Sequence, residues 1–551
     1  MDGRDIKKRV DARASERSNI DGIWNLIERF VVPFRAMMFQ DKNSEGNVNW
    51  RRREIFNSTG IKANSNLAAH VHGALTNSVL KWFGFTYRQT DLRSVHEAKE
   101  WLEECEAITY TSIRESNFDL EANEIYLDLT SFGNGTMTSM PEETPTGALE
   151  RTDYKTIPVD ECYFDFDVNG NVINFYRVLN WTADQIVDKF GVEATPDKVF
   201  HDYTSDSRSQ KRHKLCFCIY KRYENENANT FNFLSVENRP YGSKYIFWED
   251  GSQIGPTGGH HEMPVFAPRW RRVSGSQWGF SPSMTAIWDI LTLNQLEELI
   301  LVAGEKVIDP TILTTKKGVF GDIDLSAGGT VVVQDIEKSM KAFESRARFD
   351  VSSLNRQELI RAIREAYYVD ELQLKESPAM TAAEVHARVQ LMQRLLGPTF
   401  GRLQSHFLDP LVTRQFMINF RYKKFPPMPP VVAQTGGDLQ IEYLGTLAKS
   451  QRMDAAQSIE RWMGTTTAMA EAYPEVLDIP NMDEVVRNMA ENEGVPAKLI
   501  NSRAMVDKKR RKKQQQAEAA MQLEMAERKG QAMEAQGKGA AALKEGAQNA
   551  T

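Results

Sequence analysis

Val351-Ser352-Ser353-Leu354-Asn355-Arg356-Gln357-Glu358-Leu359-Ile360-Arg361-Ala362-Ile363-Arg364-Glu365-Ala366-Tyr367-Tyr368-Val369-Asp370 opens the stretch, residues 351–424, around which the chain is organised. Leu359, Ile360, Ile363, Ala366 and Tyr367 recur at steps of three and four, which predicts a helix with one apolar stripe. Arg356, Arg361, Arg364 and Glu365 occupy its other side. The period fails at Asp370, and Pro378 cannot sit in a helix interior because it lacks an N–H and clashes with the preceding turn. Thr381-Ala382-Ala383-Glu384 then reads as a capping box, hydroxyl accepting from one N–H and carboxylate from the other. Val385, Val389, Met392, Leu396, Phe400, Leu403 and Phe407 carry the helical period onward, with kinks expected at Pro398 and Pro410. Helix, short loop and long bent helix hold no chemistry. The pattern predicts a device for packing beside copies of itself.

At 551 residues the chain is long enough for three or four domains. Its 41% hydrophobic and 26% charged content is that of a soluble globular protein. No apolar run approaches the roughly 20 residues of a membrane helix. Met1-Asp2-Gly3-Arg4-Asp5 lacks the apolar core of a signal peptide, so synthesis in the cytosol is expected. Four cysteines, Cys105, Cys162, Cys216 and Cys218, make no disulfide framework in a chain this long. The formal charge of −7 is uneven: residues 506–551 hold ten Lys/Arg and six Asp/Glu, a balance of +4, which leaves −11 for the rest. An acidic body is not the basic face of a protein that grips duplex DNA.

Helices are predicted over 18–40, 59–83 and 92–117, then strands from about 136 to 272, with Gly133-Asn134-Gly135 as a turn. Ser281 as N-cap and Pro282 at the first position predict a helix to about Ile308, stopped by Pro310. Short strand runs at 311–313 and 330–333 are broken by Lys316-Lys317-Gly318 and Ala327-Gly328-Gly329. A small β module therefore lies between helices 281–308 and 351–370, which must run nearly antiparallel to carry it. Phe425-Pro426-Pro427-Met428-Pro429-Pro430 is a stiff linker. Several short helices are expected over 438–505, then a basic run and an Ala/Gln/Glu/Met tract of high helix propensity that needs neighbours to be ordered.

A search for catalytic patterns finds no P-loop, no His-Glu-x-x-His, no Cys-x-x-Cys and no nucleophile elbow, since Ser276 follows Gly275 directly. Glu103-Glu104 and Glu297-Glu298 read as solvated helix faces. Cys216 and Cys218 share one strand face; with His213 they would make a metal corner, and without it two buried small hydrophobes. Asp165 to Gly170 copies the start of a calcium loop, but Tyr176 stands where the bidentate Glu belongs, so a hairpin is expected. His260-His261-Glu262 reads as a polar turn. No catalytic residue, metal or cofactor is expected.

Several stretches carry a family likeness: Leu67-Ala68-Ala69 through Trp82-Phe83; Ser116-Asn117-Phe118 with Phe132-Gly133-Asn134-Gly135; and Tyr176-Arg177 with Trp181-Thr182-Ala183 and Phe190-Gly191. Met263-Pro264-Val265-Phe266 with Pro268-Arg269-Trp270, Gly279-Phe280-Ser281-Pro282 and Thr381 to Val385 follow in order. In this order and spacing the chain resembles the portal (head-to-tail connector) proteins of short-tailed, podovirus-type bacteriophages, from residue 18 to about 505. The tail after 506 is not covered.

The resemblance implies an α+β portal fold with wing, stem, clip and helical crown, assembled as a ring around a central channel. It would make 1–280 the wing, 281–309 and 351–370 the stem helices, 310–350 the clip and 371–380 the tunnel loop. Residues 381–430 would be a long kinked wing helix and linker, 431–505 the crown, and 506–551 a basic tail, barrel helix or disordered. It further implies a dodecamer at one capsid vertex of the virion, assembled in the host cytoplasm, without enzyme activity, cofactor or membrane contact. Double-stranded DNA would pass through it in packaging and ejection. The terminase large subunit would dock first, tail adaptor and tail tube proteins later, with the major capsid protein and scaffold alongside. Lys375, Glu376, Ser377, Pro378, Ala379 and Met380 would face the channel; Lys375 is either a steadying basic ring or an exposed loop lysine. Lys316, Lys317, Lys338 and Lys341 are clip docking candidates or exposed turn residues, and Arg356, Arg361 and Arg364 candidates for intersubunit ion pairs. Lys508, Lys509, Arg510, Arg511, Lys512 and Lys513 would touch packaged DNA or form a solvated run. A scaffolding protein without a channel and a DNA-processing enzyme with an unrecognised site are the other readings.

Overall fold

The computed structural model describes residues 1–35, 54–77, 81–168, 170–205, 211–226, 228–308, 312–314, 319–320, 332–333, 340–342, 349–372, 395–435, 439–444, 446–470 and 472–548. The chain forms two compact units, one of Met1–Gly84, Cys105–Pro426 and Ile441–Ala448, the other of Phe85–Glu104, Pro427–Gln440 and Lys449–Thr551. The division at Pro426 and Pro427 falls inside the proline-rich linker.

In the first unit five strands form an antiparallel meander: Cys162–Phe166, Val172–Thr182, Arg212–Lys221, Tyr241–Phe247 and Gln253–His260. Alternation along these strands makes two apolar faces. On one, Tyr176, Cys216, Cys218 and Ile246 meet Ile6 and Val10 of the helix Gly3–Phe30. On the other, Leu179, Leu215 and Phe247 pack with Ile186 of the helix Ala183–Phe190 and Val199 of Asp197–Tyr203. His213 lies an odd number of residues from both cysteines and so faces the opposite side, where it meets Asp202 at 3.3 Å. The metal corner is excluded by strand parity. Both thiols are free and buried, and burial pushes Cys216 up to about 12.

The helix expected over 18–40 instead runs Gly3–Phe30, started by Asp2, whose carboxylate accepts from the Gly3 N–H at 2.7 Å. Its first half docks through arginines at steps of four. Arg9 and Arg13 donate to Asp165, which also accepts from Asn174 and Tyr176, while Arg17 donates to the Asp160 carbonyl and the Tyr163 hydroxyl. Burial would raise the Asp165 pKa, but these donors outweigh it and hold the carboxyl below its ordinary range.

Other boundaries also move. The helix expected over 59–83 ends at Leu75, and Phe83–Tyr87 is a strand. The helix expected over 92–117 is two, Thr90–Ser94 and His96–Arg114. A further helix, Phe118–Phe132, has no amphipathic period to betray it, because every residue from Ile125 to Phe132 is buried. Met137–Glu143 pairs with Leu149–Thr156 and Val265–Phe266 in a small second sheet.

The helix Pro282–Ile308 is followed by two nested antiparallel pairs, Ile312–Thr314 with Met340–Ala342 and Val319–Phe320 with Val332–Val333, then by the helix Phe349–Ala366. This is the helix, β module, helix order expected. The break after it comes earlier than Asp370: Tyr368 takes a left-handed φ of +57°, and a short helix, Val369–Leu372, follows. The capping box at Thr381 lies outside the described residues, as do Val385, Val389 and Met392. Helix is present over 395–403, widens to a π turn at Gln404–Leu408 and continues as Asp409–Arg421. The wider turn precedes Pro410, whose ring would otherwise meet the carbonyl of His406.

In the second unit, where short helices were expected, Thr446–Ala470 is a helix of 25 residues, followed by Met482–Asn492. Arg503–Gln548 is one helix of 46 residues.

Candidate functional site at the root of the helical hairpin

The two glycine motifs of the sequence meet at one point. Gly133, left-handed at the end of the helix Phe118–Phe132, crosses Gly279 so closely that a Cβ on Gly279 would lie 2.2 Å from the Gly133 carbonyl oxygen. Glycine is required there by contact as well as by φ. Asn134 Oδ1 accepts from the Gly279 N–H at 2.7 Å. Carbonyls in the last turn of a helix have no intrahelical partner. Here serines at the start of the helix Pro282–Ile308 supply one: Ser281 Oγ donates to the Ser131 carbonyl at 2.7 Å and Ser283 Oγ to the Thr130 carbonyl at 2.8 Å. Ser281 Oγ also accepts from the Met284 N–H, so the expected N-cap is formed.

From this root the two hairpin helices run antiparallel. Tyr367 OH donates to Ser283 Oγ at 2.7 Å, and Arg356 Nε donates to Glu297 Oε1 at 2.5 Å. Fourteen residues forward on one helix thus match eleven backward on the other, roughly 20 Å of contact at 1.5 Å per residue. Glu103, Glu104 and Glu298 are exposed, as expected, although Glu103 also accepts from the Ala497 N–H; Glu297 departs from the expectation, being largely covered and accepting from Asn57 Nδ2 as well.

All three arginines named from the sequence have partners within the chain: Arg356 with Glu297, Arg361 with Glu365 at 3.6 Å, Arg364 with Asp370 at 2.6 Å. Lys375, Glu376, Ser377, Pro378, Ala379, Met380, Lys316, Lys317 and Lys338 lie outside the described residues. Lys341 lies in the outer pair of the β module, opposite Leu313. In the second unit Lys508 to Lys513 occupy the start of the long helix. Arg510 pairs with Asp483 at 2.6 Å, and Lys509 donates to Asn501 Oδ1 at 3.2 Å.

One cluster has no signature in the sequence. Glu262 accepts from Arg414 at 3.1 Å and from Arg421 at 2.8 Å, joining the helix Asp409–Arg421 to the strands. The expected polar turn at His260-His261-Glu262 is thus a partly buried knot. Burial, and then the facing arginines, push His260 down to about 3. Its partners lie 152 and 159 residues further on, out of reach of any local pattern.

Among the described residues no group of three His, Cys, Asp or Glu could hold a metal, and no helix is long and apolar enough to cross a membrane. Root and hairpin bring together hydroxyls, amides and paired charges. The chain belongs to the bacteriophage head to tail connecting protein family, whose profile matches residues 4–500. It is 26% identical to the probable portal protein of Bordetella phage BPP-1 over 520 residues, covering 92% of this chain and 90% of that one. It is 24% identical to the portal protein of Salmonella phage epsilon15 over 534 residues, 94% of this chain and 92% of the relative.

Proposed function

We propose that copies of this chain close into a dodecameric ring, the portal at one vertex of a short-tailed phage head, around a channel for double-stranded DNA. The observation that carries this reading is the helix Pro282–Ile308. Beside exposed polar residues such as Thr292, Gln295 and Glu298 it presents large apolar ones to solvent: Trp288, Leu299 and Ile308 are 61, 59 and 87% exposed, and Leu354 on the facing helix is 63% exposed. Exposed apolar surface of this kind marks an interface. Hairpins standing side by side would cover it.

In this reading the hairpin is the stem, the β module the clip, the α+β body the wing and 431–505 the crown. The acidic body keeps phosphates from a deep well, and Lys375 supplies a basic ring in the tunnel loop. The clip, with Lys316, Lys317, Lys338 and Lys341, receives the terminase large subunit, then tail adaptor and tail tube proteins. Major capsid protein and scaffold surround the wing. Arg503 and Arg510 share one face of the long helix and pair with Glu484 and Asp483. At about 100° per residue Lys508 and Lys512 take the opposite face, open to packaged DNA. No catalysis is assigned to the chain, and the ring assembles in the host cytoplasm.

Negative-stain imaging of the purified protein down the particle axis tests the reading. Closed rings with a pore of roughly 20 Å or more, wide enough for a duplex, are expected. Open filaments or solid aggregates would overturn the ring and favour a scaffold without a channel.

A further inference from the structure

A ring of identical copies joined head to tail needs two different, complementary surfaces on each copy. The first unit carries a matching pair. Phe231 and Phe233 are 54 and 53% exposed, on a loop that is nonetheless tightly held. Arg421 donates to the Thr230 carbonyl at 2.9 Å, Arg239 to the Leu234 carbonyl at 3.0 Å and Arg222 to the Glu237 carbonyl at 3.0 Å. The Leu234 N–H donates to His261 Nε2 at 3.0 Å. Each ring leans edge-on against an aromatic of the chain, Phe231 on Phe420 and Phe233 on Tyr422. Two half-exposed phenyl rings on a pinned loop lose little freedom on binding, the property of an interface anchor.

The complement is a cavity of about 370 Å³ walled by Trp82, Tyr110, Ile113 and Phe118, with Arg114 and Asp119 also lining it. Its size and aromatic walls suit one or two apolar side chains. Its Tyr110, Ile113 and Arg114 lie on a different side of the helix His96–Arg114 from the side that meets the loop's neighbouring helix. Ser112 Oγ meets Asn419 Oδ1 at 3.2 Å, which sets one face of the helix His96–Arg114 against the end of the helix that carries Phe420. At about 100° per residue Tyr110, Ile113 and Arg114 lie roughly 100 to 200° around the axis from Ser112. The charges also match. Exposed Lys423 and Lys424 follow Tyr422, whereas exposed Glu115 and Asp119 belong to the segment that forms the cavity.

We infer that Phe231 and Phe233 of one copy enter the Trp82, Tyr110, Phe118 cavity of the next, with Lys423 and Lys424 facing its Glu115 and Asp119. The inference rests on the ring reading and adds the residues of the contact. The test replaces Phe233 in the full chain with a photo-crosslinking amino acid and maps the crosslinks by mass spectrometry. Crosslinks to residues 110–119 of a second copy are expected. Rings whose crosslinks map only elsewhere overturn this contact and leave the ring; a wild-type chain that never forms rings overturns both. In a second arm, Glu115→Lys with Asp119→Lys should raise the concentration needed for ring closure at least tenfold, as expected for repulsion at a hot spot. Lys423→Glu with Lys424→Glu should restore it. Thermal melts report whether each variant stays folded; a folded double-charge variant that closes rings normally, or is not rescued, counts against the contact.

Discussion

Arg414 and Arg421 are nearly fully buried and share Glu262, whereas Arg356, Arg361 and Arg364 are each about a third exposed or more, and each holds a different acid. The residue type and the partner type are the same in both regions; the medium differs. In the body, taking a guanidinium out of water costs enough that burial pushes Arg414 down to about 10 despite Glu262 opposing it. There the carboxylate is indispensable. On the hairpin water screens the Arg361–Glu365 and Arg364–Asp370 pairs, and those guanidiniums can exchange their acid for one on another molecule at little cost. The body's arginines hold the fold, and in the proposed ring the hairpin's exposed arginines would serve assembly.

The largest effect should come from removing the shared acid. Glu262→Ala leaves two buried cations with one carboxylate fewer between them and should cost about 3–5 kcal/mol in denaturant unfolding. A loss below about 1 kcal/mol would erase the distinction between the two regions. Acidification probes the same knot. Unfolded histidine takes a proton near pH 6.5, whereas folded His260 does so only near pH 3, so between those values the unfolded state binds more protons. Stability from this group is complete above pH 6.5 and falls toward pH 3, with a slope of at most about 1.4 kcal/mol per pH unit. His260→Gln should flatten that part of the melting profile.

Tyr367→Phe at the hairpin root removes the hydrogen bond to Ser283 and should cost about 1–2 kcal/mol, read in the same denaturant curves. Arg356→Ala should cost about 1 kcal/mol or less. Arg361→Ala, whose helical pair with Glu365 is exposed, should cost no more than about 0.5 kcal/mol in the monomer. If Arg361→Ala matched Glu262→Ala, the screening argument would fail. Any effect of the hairpin arginines should appear instead in the yield of rings.

Features that depend on a few neighbouring residues were legible in the chain. The Ser281 cap, the hairpin closing Asp165 to Gly170, the proline linker and the β module between two helices all rest on local sterics and hydrogen bonding, which a short window contains. The failures have one cause. The helix Phe118–Phe132 is buried on every side and so has no period; the helix Gly3–Phe30 docks by arginines, which read as surface; and Glu262 finds its partners more than 150 residues away. Gly133 was visible as a turn residue and Gly279 as the head of the Gly279-Phe280-Ser281-Pro282 motif, but their crossing was not. By itself the sequence determined the order of elements, their caps and breaks, and the family likeness those motifs carry. Tertiary structure alone decided which polar groups are buried and with whom, because desolvation depends on everything packed around a charge, and that surrounding is assembled from distant parts of the chain.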